Sequence, residues 1–151
     1  MFSFGKKDIV VKIAENDKER KDAMDVRRQV FQKDQGADPE ADFDGKDDSA
    51  DHIIVYIGRK GAGTLRIRYL DDDYIKTAEI ERVAVLRKFR GQDIGKKMME
   101  YAFNYLRDKK MQIASFKTRE HTKEFYEGMG FKQEGESFTD DGIVYIKMYK
   151  S

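Results

Sequence analysis

The sequence predicts an α/β protein of the α+β kind, with a mixed, mostly antiparallel central sheet of about seven strands flanked by helices. Strand-like and helical segments follow one another in the order β-α-β-β-β-α-β-α-β-β. Glycine between apolar runs signals hairpins at residues 58–63 and at 140–142. A strand that leads through a glycine-bearing turn directly into a helix occupies residues 79–99. At 151 residues, the chain fits a single domain over residues 1–151.

Runs of β-branched or alternating residues indicate the strands of this sheet. The predicted strands are residues 9–14, 52–59, 64–70, 79–85, 112–117, 131–138 and 143–149. Asp71 to Asp73 predicts a further turn between the third and the fourth strand. Successive strands separated by such short turns are expected to be antiparallel neighbours.

Three segments carry helical spacing. Residues 18–32 place their apolar positions on one face, and Asn16 predicts an N-cap at their start. After Gly95, apolar residues recur at four-residue steps to about residue 110. Thr118 is expected to cap a third helix, which ends with Gly130 as its C′ glycine.

Residues 36–51 break the periodicity and are dominated by acidic side chains. The carboxylates are Asp38, Glu40, Asp42, Asp44, Asp47, Asp48 and Asp51. One interpretation is a solvated loop, with a short helix near residues 38–48 as an option. The other interpretation is a rim that attracts a cationic amine. The spacing to a terminal glutamate of an EF-hand is missing, so calcium is not predicted.

The segment over residues 79–99 is typical of an anion site. Gly91 and Gly95 lie where the strand passes into the helix, and the free N–H groups of the first helical turn suit a phosphate. The two glycines have three residues between them where a P-loop needs four, and no G-x-G-x-x-G pattern is present. Neither of those nucleotide-binding loops is therefore predicted.

Two motifs resemble those of the GNAT acyltransferases. Residues 90–95 (RGQDIG) are similar to the R/Q-x-x-G/A-x-G/A loop for the pyrophosphate of acetyl-CoA, and residues 125–131 (FYEGMGF) are similar to F-Y-x-x-x-G-F. Shorter stretches resemble the ElaA-like branch of that family, namely RRQVF at 27–31, ADH at 50–52 and GTLRIR at 63–68. The resemblance therefore extends from the first helix to the last hairpin.

The resemblance implies a GNAT fold and acetyl-CoA as cosubstrate. The residues it assigns to the cofactor are Val83, Ala84 and Val85 for the pantetheine arm, and Arg90, Gly91, Gln92, Ile94, Gly95 and Lys96 for the pyrophosphate. Asp93 departs from the family, which usually has Gly or Ala there. Either its side chain turns outward and caps the helix, or the cofactor site is impaired. Arg119, where the family often has Asn, is a further candidate for a cofactor phosphate.

Acetyl transfer to an amine needs a neutral amine, a donor to the carbonyl oxygen and a proton for the departing thiolate. The resemblance implies that Tyr126 is the general acid, and a phenol keeps its proton at neutral pH. Glu79 and Glu81 share one face of a strand, so either is a candidate base, directly or through water. His121 and Phe31 are the expected substrate contacts. Ordinary packing of the tyrosine and ordinary surface charge at the glutamates are the alternatives.

Composition limits the function classes. A net charge of +1 argues against a protein built to bind the nucleic-acid backbone. The absence of cysteine excludes disulfides and thiol catalysis, and two histidines do not make a zinc site, so no metal is predicted. No apolar run approaches the roughly 20 residues of a membrane span. With no signal-peptide pattern either, a cytoplasmic location is expected.

The sequence thus predicts an acetyl-CoA-dependent N-acetyltransferase that acts on a small-molecule primary amine by direct transfer in a ternary complex. A homodimer through the edge of the last hairpin is an option. The first alternative is a GNAT-fold sensor or interaction module, with or without CoA, that has no catalysis. The second is a nucleic-acid binder that uses the basic residues Arg87, Lys88, Arg90, Lys96 and Lys97.

Overall fold

A computed structural model describes residues 8–39, 44–70 and 74–151. The strands are β1 (Ile9–Ile13), β2 (Asp51–Ile57), β3 (Lys60–Leu70), β4 (Thr77–Val85), β5 (Ile113–Arg119), β6 (Lys132–Asp140) and β7 (Ile143–Lys150). They form one seven-stranded sheet in the order β1-β2-β3-β4-β5-β7-β6. The pair β4–β5 is parallel and the other pairs are antiparallel, so the predicted mixed sheet is confirmed. The last hairpin lies at one edge, and a homodimer through that edge stays a prediction.

Three α-helices flank the sheet within the described ranges. They are α1 (Asp17–Arg27), α2 (Ile94–Asp108) and α3 (Lys123–Glu127), with 3-10 turns at Arg87–Phe89 and Glu120–Thr122. The predicted order of strands and helices is confirmed. The side chain of Asn16 accepts the backbone N–H of Glu19 at 2.9 Å, which confirms the N-cap of α1. None of these helices is long and apolar enough to cross a membrane.

The helix predicted over residues 18–32 changes its winding before it ends. A π-helical segment, Arg28–Asp34, follows α1 directly. The amide of Gln29 donates to the carboxylate of Asp34 at 3.0 Å, a contact between residues five apart that matches the wider winding. Hydrophobic spacing does not distinguish the two windings over so short a segment.

The turn between β2 and β3 is shorter than the glycines predicted. Gly61 and Gly63 lie inside β3, whereas only residues 58–59 connect the strands. A Cβ atom on Gly63 would lie 3.1 Å from Ile94 and 3.3 Å from Met98 of α2. This glycine therefore lets the helix approach the strand closely, and it has no role in the turn.

The start and the end of α3 show one wrong and one confirmed prediction. Thr118 lies in β5 and is not the cap, because the chain makes a 3-10 turn before α3 and Thr122 directly precedes the helix. Gly130 has a φ of 94°, and the N–H of Phe131 donates to the carbonyl of Tyr126 at 3.0 Å. This is the Schellman arrangement that a C′ glycine permits.

The helices divide the sheet into two faces. On the α2 face, α2 covers a large core with members from β2 to β7, among them Leu65, Ile80, Met98, Phe116 and Met148. On the α1 face, α1 covers a smaller cluster that includes Ala23, Val26, Ile54 and Ala84. Side chains of one strand alternate between the two faces, so each site residue can be assigned to one of them.

Some predictions fall wholly or partly outside the described residues. The turn at Asp71 to Asp73 does so, and so do Glu40 and Asp42 of the acidic stretch. The optional helix near residues 38–48 includes residues 40–43, which also lie outside.

Candidate functional site

The two parallel strands separate after a short paired region. β4 pairs with β5 only from Thr77, opposite Ile113, to Ile80, opposite Phe116. Beyond these pairs β4 continues to Val85 and β5 to Arg119 without further pairing to each other. We call the space between these two diverging ends the gap. A strand edge that faces such a space can pair with an extended ligand that carries amide groups.

A β-bulge in β4 accompanies the separation. Arg66 of β3 lies opposite Glu81, whereas Thr64 lies opposite Ala84, so β4 has one extra residue between these pairs. Arg82, within the bulge, has a φ of 53°. Bulges bend a strand and increase its twist, which contributes to the divergence from β5. The sequence carries no glycine here that would have signalled the bulge.

The predicted residues Val83, Ala84 and Val85 do not all face the gap. The N–H of Leu86 donates to the carbonyl of Ala62 in β3 at 2.9 Å, so the backbone groups of Val85 point away from β3 and into the gap. By the same alternation, the backbone groups of Ala84 face β3, and its side chain lies in the α1-face core. The carbonyl of Val85 accepts the Nε–H of Arg90 at 3.2 Å.

The first turn of α2 offers free amides directly after this strand end. The N–H of Lys97 donates to the carbonyl of Asp93 at 3.0 Å and is the first to bond within the helix. The amides of Ile94, Gly95 and Lys96 therefore have no partner inside the helix. With the helix dipole, these amides suit an anion, and the anion site that the sequence predicted at this turn stays a prediction.

Asp93 does not cap α2 with its side chain. No capping hydrogen bond from its carboxylate is present, and its backbone is left-handed, with φ 60° and ψ 26°. A side-chain cap normally requires an extended backbone, so the interpretation of Asp93 as a cap is wrong. The left-handed conformation also explains why glycine suits this position and why aspartate, which tolerates it, can stand there.

The cations of the loop are directed along the gap. Arg90 is exposed and reaches back to Val85 of β4. The Nζ of Lys96 lies 4.5 Å from the ring centre of Phe125 on α3. Lys96, at the start of α2, thus contacts the helix that carries Tyr126. Gln92 is exposed in the turn.

Tyr126 lies in a cluster of aromatic rings beside β5. Its ring centre is 4.6 Å from that of Phe116, 5.0 Å from Phe125, 6.3 Å from Phe131 and 6.5 Å from Phe103. Burial raises the pKa of the phenol above its ordinary value. A tyrosine in this environment keeps its proton throughout the neutral pH range.

The two candidate bases differ in their surroundings. Both lie on the α1 face, because Ile80 between them lies in the opposite core. The carboxylate of Glu81 accepts hydrogen bonds from two guanidinium groups, those of Arg66 and of Arg68, the latter at 2.9 Å. Glu79 has no ion pair within the described residues and lies opposite Ser115 of β5. The geometry therefore favours Glu79, or a water beside it, over Glu81.

Buried arginines neutralise two carboxylates of the acidic stretch. Arg66 is fully buried and donates to Asp44, with two bonds of 2.9 Å, and to Asp47 at 3.1 Å. The buried Arg27 also donates to Asp47, at 2.7 Å. The Arg66 guanidinium holds the pKa of Asp44 well below its usual range. Both interpretations of the acidic stretch, a solvated loop and a rim that attracts a cationic amine, are therefore wrong for Asp44 and Asp47.

Two more residues of this stretch have structural partners. Asp51 accepts hydrogen bonds from the hydroxyls of Tyr69, at 2.5 Å, and Tyr105, at 2.8 Å. The Nε2 of His52 lies 3.0 Å from the carbonyl of Asp47, and burial lowers the pKa of the imidazole. The sequence did contain a signal for this arrangement, because a buried arginine such as Arg66 on a predicted strand requires nearby carboxylates.

The two expected substrate contacts lie on different elements, and their role stays a prediction. His121 lies in the 3-10 turn that precedes α3, not in the helix of Tyr126, and its side chain is exposed. Phe31 lies in the π-helical segment and packs against the α1-face core. Within the described ranges, no cluster of three or more histidine, aspartate or glutamate residues is placed to hold a metal ion.

Comparisons with known proteins give a family match and several relatives of similar length. Residues 48–133 match the family model for an acetyltransferase (GNAT) domain. The chain is 32% identical over 139 residues to the Bacillus subtilis (strain 168) protein called uncharacterized N-acetyltransferase YjcF, which covers 91% of this chain and 96% of that one. Against Escherichia coli (strain K12) ElaA the identity is 30% over 131 residues, with 83% and 82% covered.

Solved structures share the fold. The crystal structure of Escherichia coli ElaA superimposes with a TM-score of 0.80 at 23% identity and covers 95% of this chain and 99% of ElaA. A GNAT family acetyltransferase from Elizabethkingia anophelis, solved with acetyl-CoA bound, has a TM-score of 0.66 at 16% identity, with 94% and 97% covered. The chain therefore belongs to the GNAT acetyltransferase family, within its ElaA-like branch.

Proposed function

We propose that this chain binds acetyl-CoA in the gap and transfers the acetyl group to a primary amine of a small molecule, by direct transfer in a ternary complex. The observation that carries the proposal is the gap itself. It is bordered by β4, where the N–H of Val85 points into it, and it leads at one end to the first-turn amides of α2, which have no partner inside that helix. Tyr126 lies beside β5, the other wall.

The residues around the gap fit an extended ligand with a diphosphate. The N–H of Val85 points into the gap and would pair with a pantetheine amide, as a neighbouring strand would, with Val83 as the adjoining contact. The amides of Ile94, Gly95 and Lys96 would hold the pyrophosphate at the positive end of the helix. The residues that complete this cradle would be Gly91 and Gln92 through their backbone and Arg90 and Lys96 through their charges.

Acetyl-CoA supplies the acetyl group, whose bond to sulfur breaks as the amine nitrogen forms the new C–N bond. The chain's own residues have to manage two protons. Glu79, on the α1 face, takes the proton that the amine loses, directly or through a water molecule. Tyr126, approaching from the α2 face, gives its phenolic proton to the departing thiolate, and its raised pKa ensures that this proton is present. Direct transfer follows because the chain has no cysteine to carry the acetyl group.

Two measurements on the purified chain test this function. Calorimetric titration with acetyl-CoA should give saturable binding, and thiol release in the presence of a panel of primary amines should give turnover. We expect Glu79→Gln to lower kcat/KM by about 10²-fold or more while the Kd for acetyl-CoA stays unchanged. Glu127→Gln, at an exposed position of α3, is the matched control and should leave both values unchanged.

A CoA-binding module without catalysis remains the second candidate, because the exposed carboxylate of Asp93 lies at the proposed diphosphate site. Heat on titration with acetyl-CoA but no thiol release with any amine would favour the module. No binding even at millimolar acetyl-CoA would reject both functions and leave the family assignment and the fold.

A further inference from the structure

We infer that the acceptor amine also carries an anionic group, a carboxylate or a phosphate, which Lys117 and Arg119 of β5 hold on the α1 face. This inference rests on the proposed function, since it concerns the second substrate of the same site. Three features support it. The two cations lie on the same face of the sheet as Glu79, they have few ion pairs with other side chains of the chain, and several carboxylates on that face are already paired with arginines.

The first feature is the placement of the two cations beside the gap. Phe116 packs in the α2-face core, so its neighbours Ser115 and Lys117, and then Arg119, belong to the α1 face. Glu79 lies on that face as well, opposite Ser115. One strand spacing across the sheet and two residues along β5 place the Cα atoms of Glu79 and Lys117 about 8 Å apart. The candidate base, in the paired part of β4, and the first cation, just beyond the paired part of β5, thus lie on the same face near the point where the gap begins.

The second feature is how weakly these cations are neutralised. Lys117 is half-exposed, and within the described residues its one ion pair is with Asp140, at 3.7 Å and 66% exposed. Such exposed pairs contribute little and exchange readily with a ligand. Arg119 is exposed and has no ion pair in the described part of the chain. The Nζ of Lys117 lies 4.5 Å from the ring centre of Tyr145 and 6.0 Å from that of Phe138, and Tyr145 is the register partner of Arg119.

The third feature is the internal use of the acidic groups nearby. Asp44 and Asp47 face Arg66, and Glu81 faces Arg66 and Arg68. These carboxylates are therefore not available to attract a second positive charge on the acceptor. Among the charged side chains of β4 and β5, which the structure describes in full, those with weak ion pairs or none are Glu79, which suits the amine, and Lys117 and Arg119, which suit an anion. An amino acid or a phosphorylated amine has this pairing of groups, whereas a polyamine does not.

Paired amines that differ only in the anionic group test the inference. We would measure kcat/KM for L-phenylalanine against L-phenylalaninamide, and for O-phosphoethanolamine against ethanolamine, with spermidine as the cationic case. A charge-assisted contact should favour the anionic member of at least one pair by about tenfold or more. The pair that shows the larger preference distinguishes a carboxylate from a phosphate. Equal or better use of the amide, ethanolamine or spermidine would overturn the inference.

Matched variants locate the contact. Lys117→Gln should remove most of the preference, mainly through KM for the anionic member, and leave the neutral member unchanged. Lys132→Gln removes the same charge from the same face, but three strands away from β4, and should leave the preference intact. Equal effects of the two variants would show that only the overall charge matters and would refute the assigned site. An Arg119→Gln variant that weakens CoA binding and keeps the anion preference would remove Arg119 from it.

A binding measurement separates failure of this inference from failure of the proposed function. L-Phenylalanine and O-phosphoethanolamine would be titrated into the CoA-loaded protein, each beside its uncharged partner. Absence of turnover with any amine, despite acetyl-CoA binding, rejects the transfer function alone. Tighter binding of an anionic probe to the CoA complex supports the inference in that case too, and the absence of any such preference refutes it.

Discussion

Replacing Arg66 by methionine should destabilise the protein strongly, because its guanidinium holds three carboxylates together. Arg66 is fully buried and contacts Asp44, Asp47 and Glu81, whose side chains are only 17–23% exposed. Removing one partner of a buried ion pair costs about 3–5 kcal/mol. Since Arg27 and Arg68 remain beside the same carboxylates, we expect the lower end, about 3 kcal/mol. With a urea m-value of about 2 kcal/mol/M, the midpoint would fall by about 1.5 M.

The pH dependence of Arg66→Met should be weaker than that of the unaltered protein. The Arg66 guanidinium depresses the pKa of Asp44, so this stabilisation is complete above the ordinary carboxyl pKa of about 3.9 and is lost as the pH falls below it. Without Arg66, Asp44 loses the hydrogen bonds that are the largest cause of this depression. The variant should therefore lose less stability than the unaltered protein as the pH is lowered from about 5 to about 3.

Urea unfolding at about pH 7, 5 and 3, followed by circular dichroism, measures both effects. The control is Lys21→Met, which removes a cation from an exposed pair with Asp25 at 3.3 Å and should change stability by less than about 1 kcal/mol. Equal midpoint shifts in the two variants, or a loss of stability below about pH 5 in Arg66→Met as large as in the unaltered protein, would contradict these expectations.

Three further predictions concern the gap and its surroundings. Tyr126→Phe should lower kcat by about 10²-fold, because the phenolic proton is lost. The melting temperature should change little, because the aromatic contacts remain. Equal rates for the variant and the unaltered protein would exclude the phenol as the acid. Asp93→Asn keeps the left-handed backbone but removes a negative charge beside the proposed phosphate position. Calorimetry at low salt should therefore show about threefold tighter acetyl-CoA binding, and an unchanged Kd would refute the repulsion. Gly63→Ala should lower the free energy of unfolding by about 1–3 kcal/mol, because the new methyl meets Ile94 at 3.1 Å and the carbonyl of Ala84 at 3.3 Å. Gly61→Ala is the control and should be nearly neutral, because its nearest contact is at 3.5 Å. Equal effects of the two variants on urea unfolding would contradict the packing argument.

Local patterns in the sequence were sufficient for the order of the elements. The alternation of β-branched residues, the four-residue spacing after Gly95 and the hairpin glycine at 142 each depend on near neighbours in the chain. The same locality explains the errors. A glycine in a strand under a helix, such as Gly63, is indistinguishable in sequence from a glycine in a turn. A π-helical segment keeps the apolar spacing of an α-helix closely enough to escape detection at Arg28–Asp34.

The candidate site was predictable where it is built from consecutive residues. The loop from Arg90 to Lys96 and its free amides follow from glycine positions and the start of a helix. What escaped prediction depends on residues that are far apart in sequence. The bulge at Arg82 has no glycine to mark it, and the partners of Asp44 and Asp47 come from α1, β3 and β4. Counting charges within the acidic stretch alone led to the wrong interpretation of those carboxylates.

The brief pairing of β4 with β5 has a consequence during synthesis. Strands β1 to β4 are sequential neighbours, so they can assemble as soon as they leave the ribosome. β5 pairs with β4 over four residues only, and its longer contact is with β7, which is translated last among the described strands. One wall of the gap is thus ready early, whereas the other is anchored only when translation is nearly complete. Nascent chains should therefore acquire protease resistance well before they acquire affinity for a thioester.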